Sequence, residues 1–424
     1  MKMLPFLAAL AVLAGPAFAA PQFSSLYSFP PNKARDTSYP AAALTPGPNG
    51  VFYGTTSGAG WKKDYGTVFA LIPPGTPGAQ WTRQTIYRFR AGAEGGRPFS
   101  RVIFDQSTGA LLGTTSGAEG GGDYGAVYRL VPPAQDGDPW TLQIVHSFGG
   151  KDDGGHPYPG LVQDPATGAV YGATTFYPGS YGTLYSFMPD ASHQNWTRVL
   201  SYVFPGAPNG GDNPLTDLML NGGILYGATI QGGIVTDACP WGCGTLFSYD
   251  LANSTFTTRF EPNGAPEPYS FGAGTPLLGD AATLIGTSGK GADENCKLDM
   301  CGTVFTMPLD GGAAPTIIAA LTGAKSGHIN SGVIWNTDHT ALYGTADYAL
   351  PGHCHYYFGK DGCGSVFELK RKKNGTWKFS LVHAFDGDDG ALPNQLVFGP
   401  DGALYGTTSE GGANRTGTAF RIDP

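Results

Sequence analysis

One phrase recurs seven times along the sequence, and this repeat constrains the fold more than any other feature. Each copy carries an aromatic-Gly-Thr motif and, further on, a second motif. In the first copy these are Phe52-Tyr53-Gly54-Thr55 and Gly66-Thr67-Val68-Phe69. The glycines of the first motif are Gly54, Gly113, Gly172, Gly227, Gly286, Gly344 and Gly406, spaced by 59, 59, 55, 59, 58 and 62 residues. A period of this length is typical of architectures in which each copy is one supersecondary unit.

Each copy predicts four short β-strands. In the second copy, β-branched and aromatic residues mark the segments 84–89, 101–105, 110–115 and 125–131, which are separated by Gly- and Pro-rich turns. No segment shows a sustained 3.6-residue apolar period. The sequence therefore predicts an all-β fold, a seven-bladed β-propeller with four-stranded blades. A β-solenoid is the alternative, but its repeats are typically shorter.

The two ends of the chain predict how the ring closes. Residues 23–29 match the strand-like segment 85–89, and the sequence ends with 417–422, one strand short of a full copy. We therefore expect the N-terminal strand to complete the last blade as its outer strand, which pairs an otherwise free sheet edge.

The first 20 residues predict a secretory signal peptide. A charged start is followed by the apolar segment 4–15 and by Ala17-Phe18-Ala19, which suits cleavage. The apolar segment is too short to span a bilayer as a helix. We expect a signal peptide at 1–20, one propeller domain at 21–424, no membrane span, and a secreted or periplasmic location.

The charge of the chain bears on its partners. The formal net charge is -8, and an acidic protein repels the phosphate backbone, so we expect no nucleic-acid partner. The sequence holds no nucleophile elbow, no H-E-x-x-H and no phosphate-binding loop. We expect a monomer with no cofactor.

The repeat resembles that of the GloVer tandem-repeat proteins of bacteria. The resemblance rests on the Leu-Tyr-Gly-Thr-Thr and Gly-Thr-Val-Phe motifs and covers essentially the whole mature chain. It implies an extracellular or surface β-propeller with no established common activity. This sequence departs from the pattern at Ala173 and Ala228, where the repeat favours Thr, and at Ile285, where it favours Tyr.

The six cysteines lie in the long loops of the fourth, fifth and sixth copies. The simplest pairing is local, Cys239 with Cys243, Cys296 with Cys301 and Cys354 with Cys363, as disulfides in an oxidising compartment. The first three copies carry a Tyr where Cys243, Cys301 and Cys363 stand, so we expect each loop to be held by a ring or by a disulfide. A zinc site built from Cys239, Cys243, Cys354 and a neighbouring His is the alternative, but equivalent loops of different blades are well separated.

Polar residues in the loops that lead into the inner strands are the first set of ligand-binding candidates. They are Arg97, His156, Asp212, His328 and Asn394, and they predict a polar funnel at the mouth of the central channel. The alternative is that they are solvated loop residues. The loop at 386–390, rich in Asp and Gly, fits either a calcium site or a tight turn, and we favour the turn.

Aromatic residues in the long loops are the second set. Trp61, Trp241 and Tyr357 fit stacking on sugar rings, or they fold back over their own loops.

The loops after the Tyr-Gly-Thr strands, such as 57–64 in the first copy and 346–362 in the sixth, share one face of the predicted propeller, which we call the long-loop face. These observations predict a binding module that recognises a polysaccharide or a surface protein through this face, because variable loops on a rigid scaffold favour binding. The alternative is an extracellular carbohydrate-active or lactone-type hydrolase with its site at the channel mouth, using His156, His328 and Asp212. An adhesive, structural role is a third hypothesis. The fold alone does not choose among them.

Overall fold

The structure is a computed structural model. It describes residues 21–31, 39–58, 64–76, 79–90, 92–117, 123–135, 137–175, 181–272, 274–279, 282–291, 301–322, 327–329, 331–347, 354–356 and 360–424. The predicted signal peptide at 1–20 lies outside the described residues.

The described residues form seven antiparallel blades arranged as a seven-bladed β-propeller, which confirms the predicted fold. Each blade runs from a short inner strand at the channel, through a second and a third strand, to an outer strand. The strands of blade 1 are Thr45–Pro46, Phe52–Thr56, Thr67–Ile72 and Thr82–Arg88. Those of blade 2 are Ile103–Asp105, Ala110–Thr115, Ala126–Val131 and Thr141–Ser147. Those of blade 3 are Val162–Gln163, Val170–Thr174, Thr183–Pro189 and Trp196–Val203.

The same order continues around the ring. The strands of blade 4 are Met219–Asn221, Ile224–Thr229, Thr245–Asp250 and Thr255–Phe260. Those of blade 5 are Leu277–Leu278, Thr283–Ser288, Thr303–Pro308 and Thr316–Ala320. Those of blade 6 are Ile334–Trp335, Ala341–Ala346, Ser365–Arg371 and Trp377–Ala384. Blade 7 has an inner strand in two pieces, Ala391–Pro393 and Val397–Phe398, followed by Leu404–Glu410, Thr418–Asp423 and Gln22–Ser28.

Short ladders and 3-10 turns lie in the segments that connect the blade strands. Two short ladders join Gly211–Asp212 to Gln231–Gly232 and His355–Tyr356 to Lys360–Asp361. Single 3-10 turns occur at Pro48–Gly50, Gly92–Glu94 and Lys151–Asp153. Within the described ranges, no helix is long and apolar enough to cross a membrane.

The N-terminal strand closes the ring as predicted. Gln22–Ser28 pairs antiparallel with Thr418–Asp423 and forms the outer strand of blade 7. Phe29, which follows it, is fully buried, and its N–H donates to the carbonyl of Gly417 at 3.0 Å. The last blade therefore combines strands from both ends of the described chain.

The glycine of each Tyr-Gly-Thr motif leaves space for an aromatic ring. Gly406 lies directly opposite Phe420 of the third strand, and a Cβ added to Gly406 would lie 2.4 Å from Phe420 Cζ. Gly54 stands in the same relation to Phe69, also at 2.4 Å. Because the ring covers the second strand at this point, no larger residue fits there without repacking.

The first threonine after that glycine joins neighbouring blades. Its hydroxyl donates to a backbone carbonyl in the next blade, at Thr55 to Ser100, Thr114 to Pro159, Thr287 to Ser331, Thr345 to Asn394 and Thr407 to Ala42, over 3.0, 3.3, 2.9, 3.3 and 3.1 Å. Ala173 and Ala228 carry no hydroxyl for this bond. Each such hydrogen bond contributes roughly 1 kcal/mol to stability.

The core is divided among the seven seams between adjacent blades. In the seam between blades 1 and 2, for example, Phe89, Val102, Leu111 and Tyr128 pack together and are almost fully buried. Equivalent clusters fill the other six seams.

Disulfides hold two of the long loops. Cys239 bonds Cys243 with Cα atoms 5.1 Å apart, and Cys354 bonds Cys363 with Cα atoms 5.3 Å apart, as the sequence predicts. Cys301 is also disulfide-bonded, and its predicted partner Cys296 lies outside the described residues.

A tyrosine side chain and a disulfide occupy equivalent positions in different blades. A Cβ on Gly387 would lie 3.0 Å from Cys354 Sγ, and one on Gly150 would lie 3.1 Å from the ring of Tyr124. The disulfide and the tyrosine therefore support the same loop in different blades.

Candidate functional site

A polar cross-link joins side chains of four blades near the axis of the ring. Thr275 Oγ1 of blade 5 lies 2.9 Å from Asp217 Oδ2 of blade 4 and 3.3 Å from Gln395 Oε1 of blade 7. Arg101 Nε of blade 2 lies 3.5 Å from Asp217 Oδ2, and the N–H of Gly160 donates to Asp217 Oδ1 at 2.5 Å. We call Arg101, Asp217, Thr275 and Gln395 the channel brace.

The brace separates two cavities. The one on the long-loop side, the mouth cavity, has a volume of about 280 Å³, and the one beyond the brace has a volume of about 290 Å³. Arg101 and Gln395 line both. Apolar residues such as Ile103, Ile334 and Val397 line the far cavity, whereas the mouth cavity combines polar and aromatic groups. A concave cavity of mixed polar and aromatic character is the usual setting of a small-ligand site.

The residue after one recurring proline lines the mouth cavity in five blades. These residues are Ala41, Phe99, Tyr158, Leu215 and Asn394, which follow Pro40, Pro98, Pro157, Pro214 and Pro393. The proline packs against the preceding blade, since a Cβ on Gly66 would lie 2.6 Å from Pro98 Cδ. Because the proline is rigid and packed against the preceding blade, it directs the next residue toward the mouth cavity.

Blades 2 and 3 give the cavity an aromatic wall. The rings of Phe99 and Tyr158 have centroids 5.1 Å apart and planes inclined by 35°. Arg97 covers Phe99, with its guanidinium carbon 5.2 Å from the ring centroid. The Tyr158 side of the pair is accessible, because Tyr158 is 36% exposed.

Blade 6 contributes a carboxyl group across the ring from that wall. Asp347 follows the second strand of blade 6, and its N–H donates to the carbonyl of His328 at 2.8 Å. Among the residues described, its carboxyl forms no hydrogen bond or ion pair. Loss of hydration raises the pKa of Asp347 to about 7. This carboxyl therefore exchanges a proton near neutral pH.

Asn394 lines the cavity, but its side chain ties blade 7 to blade 1. Its Nδ2 donates to the carbonyl of Pro40 at 3.1 Å and to Thr407 Oγ1 at 3.0 Å, and its Oδ1 accepts from Ser409 at 3.3 Å. Of the five funnel candidates, it is the one that the structure places on the mouth cavity.

Arg97, His156 and His328 share one position in the repeat, two residues before the cavity-lining position. His156 Nδ1 lies 2.6 Å from the carbonyl of Ser116, on the seam between blades 2 and 3. His328 Nε2 would lie 2.5 Å from a Cβ on Gly289, on the seam between blades 5 and 6. The structure thus places the two histidines on separate seams.

Asp212 lies one residue before the equivalent position in blade 4. It is 8% exposed, and its Oδ1 has no hydrogen-bond partner among the described residues. Burial raises the pKa of Asp212 to about 6.

The aromatic candidates fall into two groups. Trp241 is 72% exposed in the disulfide-bonded loop of blade 4, beside the exposed residues Ile234 and Val235. Trp61 and Tyr357 lie outside the described residues.

The Asp-Gly loop of blade 7 is bonded as a turn. Asp386 Oδ1 accepts the N–H groups of Asp388 and Asp389 at 2.9 and 3.1 Å. Asp389 Oδ2 lies 2.7 Å from His383 Nε2 of the preceding outer strand. These bonds use the oxygens that a calcium site would need.

Sequence reasoning missed most of the cavity. It did not single out Arg101, Asp217, Asp347, Phe99 or Tyr158. The sequence did contain a pattern that could have identified Phe99 and Tyr158 as cavity residues, because each follows the recurring proline.

The family of the chain follows from its repeats. The model of the Gloeobacter/Verrucomicrobia repeat matches residues 17–239, just over half of the chain. The chain belongs to this repeat family. The predicted resemblance is therefore confirmed, and no curated protein matches this repeat protein in sequence.

Solved structures share the fold of this repeat protein at low identity. An oligogalacturonate lyase from Vibrio parahaemolyticus has a TM-score of 0.53 and 8% identity, with 96% of this chain and 97% of that chain covered. Sqt1 from Saccharomyces cerevisiae has a TM-score of 0.51 and 9% identity, with 92% and 97% covered. A protein from Lactobacillus plantarum has a TM-score of 0.50 and 13% identity, with 82% and 85% covered. These likenesses show the propeller fold alone.

Proposed function

We propose that this repeat protein is a secreted binding protein whose mouth cavity holds one sugar ring of a polysaccharide. The observation that carries the proposal is the Phe99–Tyr158 pair in the lining of a largely polar cavity. A sugar ring has an apolar C–H face that stacks on aromatic rings and a rim of hydroxyls that needs polar partners. The cavity offers both.

The size of the cavity supports a single sugar residue. At about 280 Å³ it lies just below the range of roughly 300–1,000 Å³ that is usual for small-molecule sites. Arg101 and Gln395 of the channel brace lie at the inner end of this cavity, and the ligand is proposed to enter from the long-loop face. The remainder of a polysaccharide would then lie outside the cavity.

The proposal includes the location and boundaries of the protein. We assign residues 1–20 to a signal peptide and 21–424 to one propeller domain that acts outside the cytoplasm. The disulfides Cys239–Cys243 and Cys354–Cys363 support an oxidising compartment.

Calorimetric titration of residues 21–424 with a panel of oligosaccharides tests the proposal. At least one member should bind, and Tyr158→Ala should weaken it by about 10-fold, the equivalent of about 1.4 kcal/mol of lost stacking. Trp241→Ala is the matched control, an exposed aromatic on the same face but outside the cavity. Loss of binding in Trp241→Ala alone would place the site on the loops, and a panel with no binder would point to a protein partner.

A carbohydrate-active hydrolase is the second candidate, and Asp347 favours it. A general acid works best with a pKa near the operating pH, and the pKa of Asp347 is raised to about 7 in a cavity that also contains Asp217. Release of reducing ends from the bound glycan would show turnover. Asp347→Asn should then abolish turnover while binding persists, and binding without turnover in the wild type would exclude this candidate.

A further inference from the structure

We propose that the ligand of the mouth cavity carries a positively charged amine that pairs with Asp347, which makes it an amino sugar. This inference rests on the proposed function and names the substrate class of the same site. It follows from the charges that line the cavity and from their arrangement around the ring.

Among the described residues that line the mouth cavity, acidic groups outnumber basic ones. Arg101 lies 3.5 Å from Asp217 in the channel brace, so these two charges offset one another. Asp347 also lines the cavity, and its carboxyl has no bonded partner among the described residues. When Asp347 is ionised, the described lining carries one uncompensated negative charge, which a cationic ligand would neutralise.

The two recognition groups face each other across the channel. Phe99 and Tyr158 belong to blades 2 and 3, whereas Asp347 belongs to blade 6, on the opposite side of a seven-membered ring. A sugar ring that stacks on the aromatic wall therefore presents a substituent toward the carboxyl. The accessible ring of Tyr158 also attracts a cation, so it favours the same ligand charge as Asp347.

The surroundings of Asp347 explain why an amine is preferred to a hydroxyl. The charged residues of the same cavity are Arg101 and Asp217, and the titratable residue on the segment bridged to Asp347 is His328. Desolvation is the cause of the raised pKa of Asp347. An ammonium group stabilises the carboxylate charge in place of the lost hydration, whereas a neutral ligand leaves the charge of the ionised carboxyl uncompensated.

Three disaccharides of matched size test the inference on residues 21–424. They are the β-1,4-linked dimers of glucosamine, of N-acetylglucosamine and of glucose, titrated by calorimetry at pH 7 and at pH 5. At pH 7 the glucosamine dimer should bind about 10-fold more tightly than the other two. At pH 5 its affinity should fall by nearly 10-fold, to about the level of the other two, because only the ionised fraction of Asp347 binds the amine.

Asp347→Asn removes the charge and keeps the shape of the side chain. The variant should lose both the preference for the glucosamine dimer and the pH dependence, while the glucose dimer binds within about twofold of wild type. Asp212→Asn is the matched control, a buried carboxyl outside the mouth cavity, and it should change neither. Thermal unfolding of both variants checks that they are folded.

The outcomes separate this inference from the proposed function. If neutral and amino sugars bind equally well and Tyr158→Ala weakens both, the amine inference is wrong and the binding site stands. If no sugar binds the wild type, both fail. A preference for the glucosamine dimer that survives in Asp347→Asn also overturns the inference.

Discussion

The hydroxyl of Thr407 in blade 7 donates a hydrogen bond to the carbonyl of Ala42 in blade 1, over 3.1 Å. This bond closes the ring by the same contact that joins several other pairs of neighbouring blades. Thr407→Val keeps the shape of the side chain and removes the hydroxyl, so we expect it to lower the free energy of unfolding by about 1 kcal/mol. Urea denaturation measures the change. Thr407→Ser, which keeps the hydroxyl, should be milder, and equal losses in the two variants would contradict this role.

Gly406 should not tolerate a methyl group, because a Cβ there would lie 2.4 Å from Phe420 Cζ. We expect Gly406→Ala to lower the free energy of unfolding by about 1–3 kcal/mol through overpacking. Gly75→Ala is the matched control, since nothing lies within 4 Å of its added Cβ, and it should change stability by less than about 0.5 kcal/mol. Similar melting temperatures for the two variants would show that the ring moves aside at no cost.

The Cys354–Cys363 disulfide should stabilise the fold through the chain entropy of its loop. The cysteines are nine residues apart, for which loop closure gives about 2–3 kcal/mol. The double variant Cys354→Ser/Cys363→Ser should lose about this amount in chemical denaturation. Adding reductant to wild type should destabilise it at least as much, because reductant also opens Cys239–Cys243. A double variant as stable as wild type would mean that the loop is held without the disulfide.

Asp212 should make stability depend on pH. Its folded-state pKa is raised by burial from 3.8 to about 6, so between these values the folded protein binds more protons than the unfolded chain. The free energy of unfolding therefore falls as the pH rises from about 4 to 6, and up to about 3 kcal/mol is lost above that window.

Replacing this carboxyl with an amide tests the sign of the effect. Asp212→Asn should be more stable than wild type at pH 7.5 and nearly equal to it at pH 4, as measured by thermal unfolding at both values. A variant that is less stable than wild type at pH 7.5 would show that the ionised carboxyl has a favourable role.

The repeat made the architecture predictable because each residue that recurs in its motifs makes a contact that recurs in the blades. Gly406 is required by the ring of Phe420, and Thr407 reaches the next blade, so the motif records contacts that every blade repeats. The position of the N-terminal strand was also predictable, since residues 23–29 supply the one strand that the last copy lacks. Ala173 and Ala228 replace this threonine and therefore lack its hydrogen bond to the next blade.

The candidate site was less predictable because it is not a property of any one copy. Sequence reasoning chose Arg97 and His156 as residues facing the channel, but the lining of the mouth cavity contains Phe99 and Tyr158, two residues later, in their place. The shift arises where the chain turns, since Arg97 and His156 adopt positive φ angles of 59° and 54° before the proline. Polar character alone did not reveal that turn.

The sequence by itself determined the number of blades, the strands within them, the local disulfides and the closure of the ring. All of these depend on contacts within one copy or between adjacent copies, which the repeat specifies seven times. Only the tertiary structure decided that Arg101, Asp217, Thr275 and Gln395 meet across the axis, and that Asp347 faces an aromatic wall from blades 2 and 3. The contacts of the brace join side chains up to 120 residues apart, at positions where the copies differ. Their geometry exists only once the ring has closed.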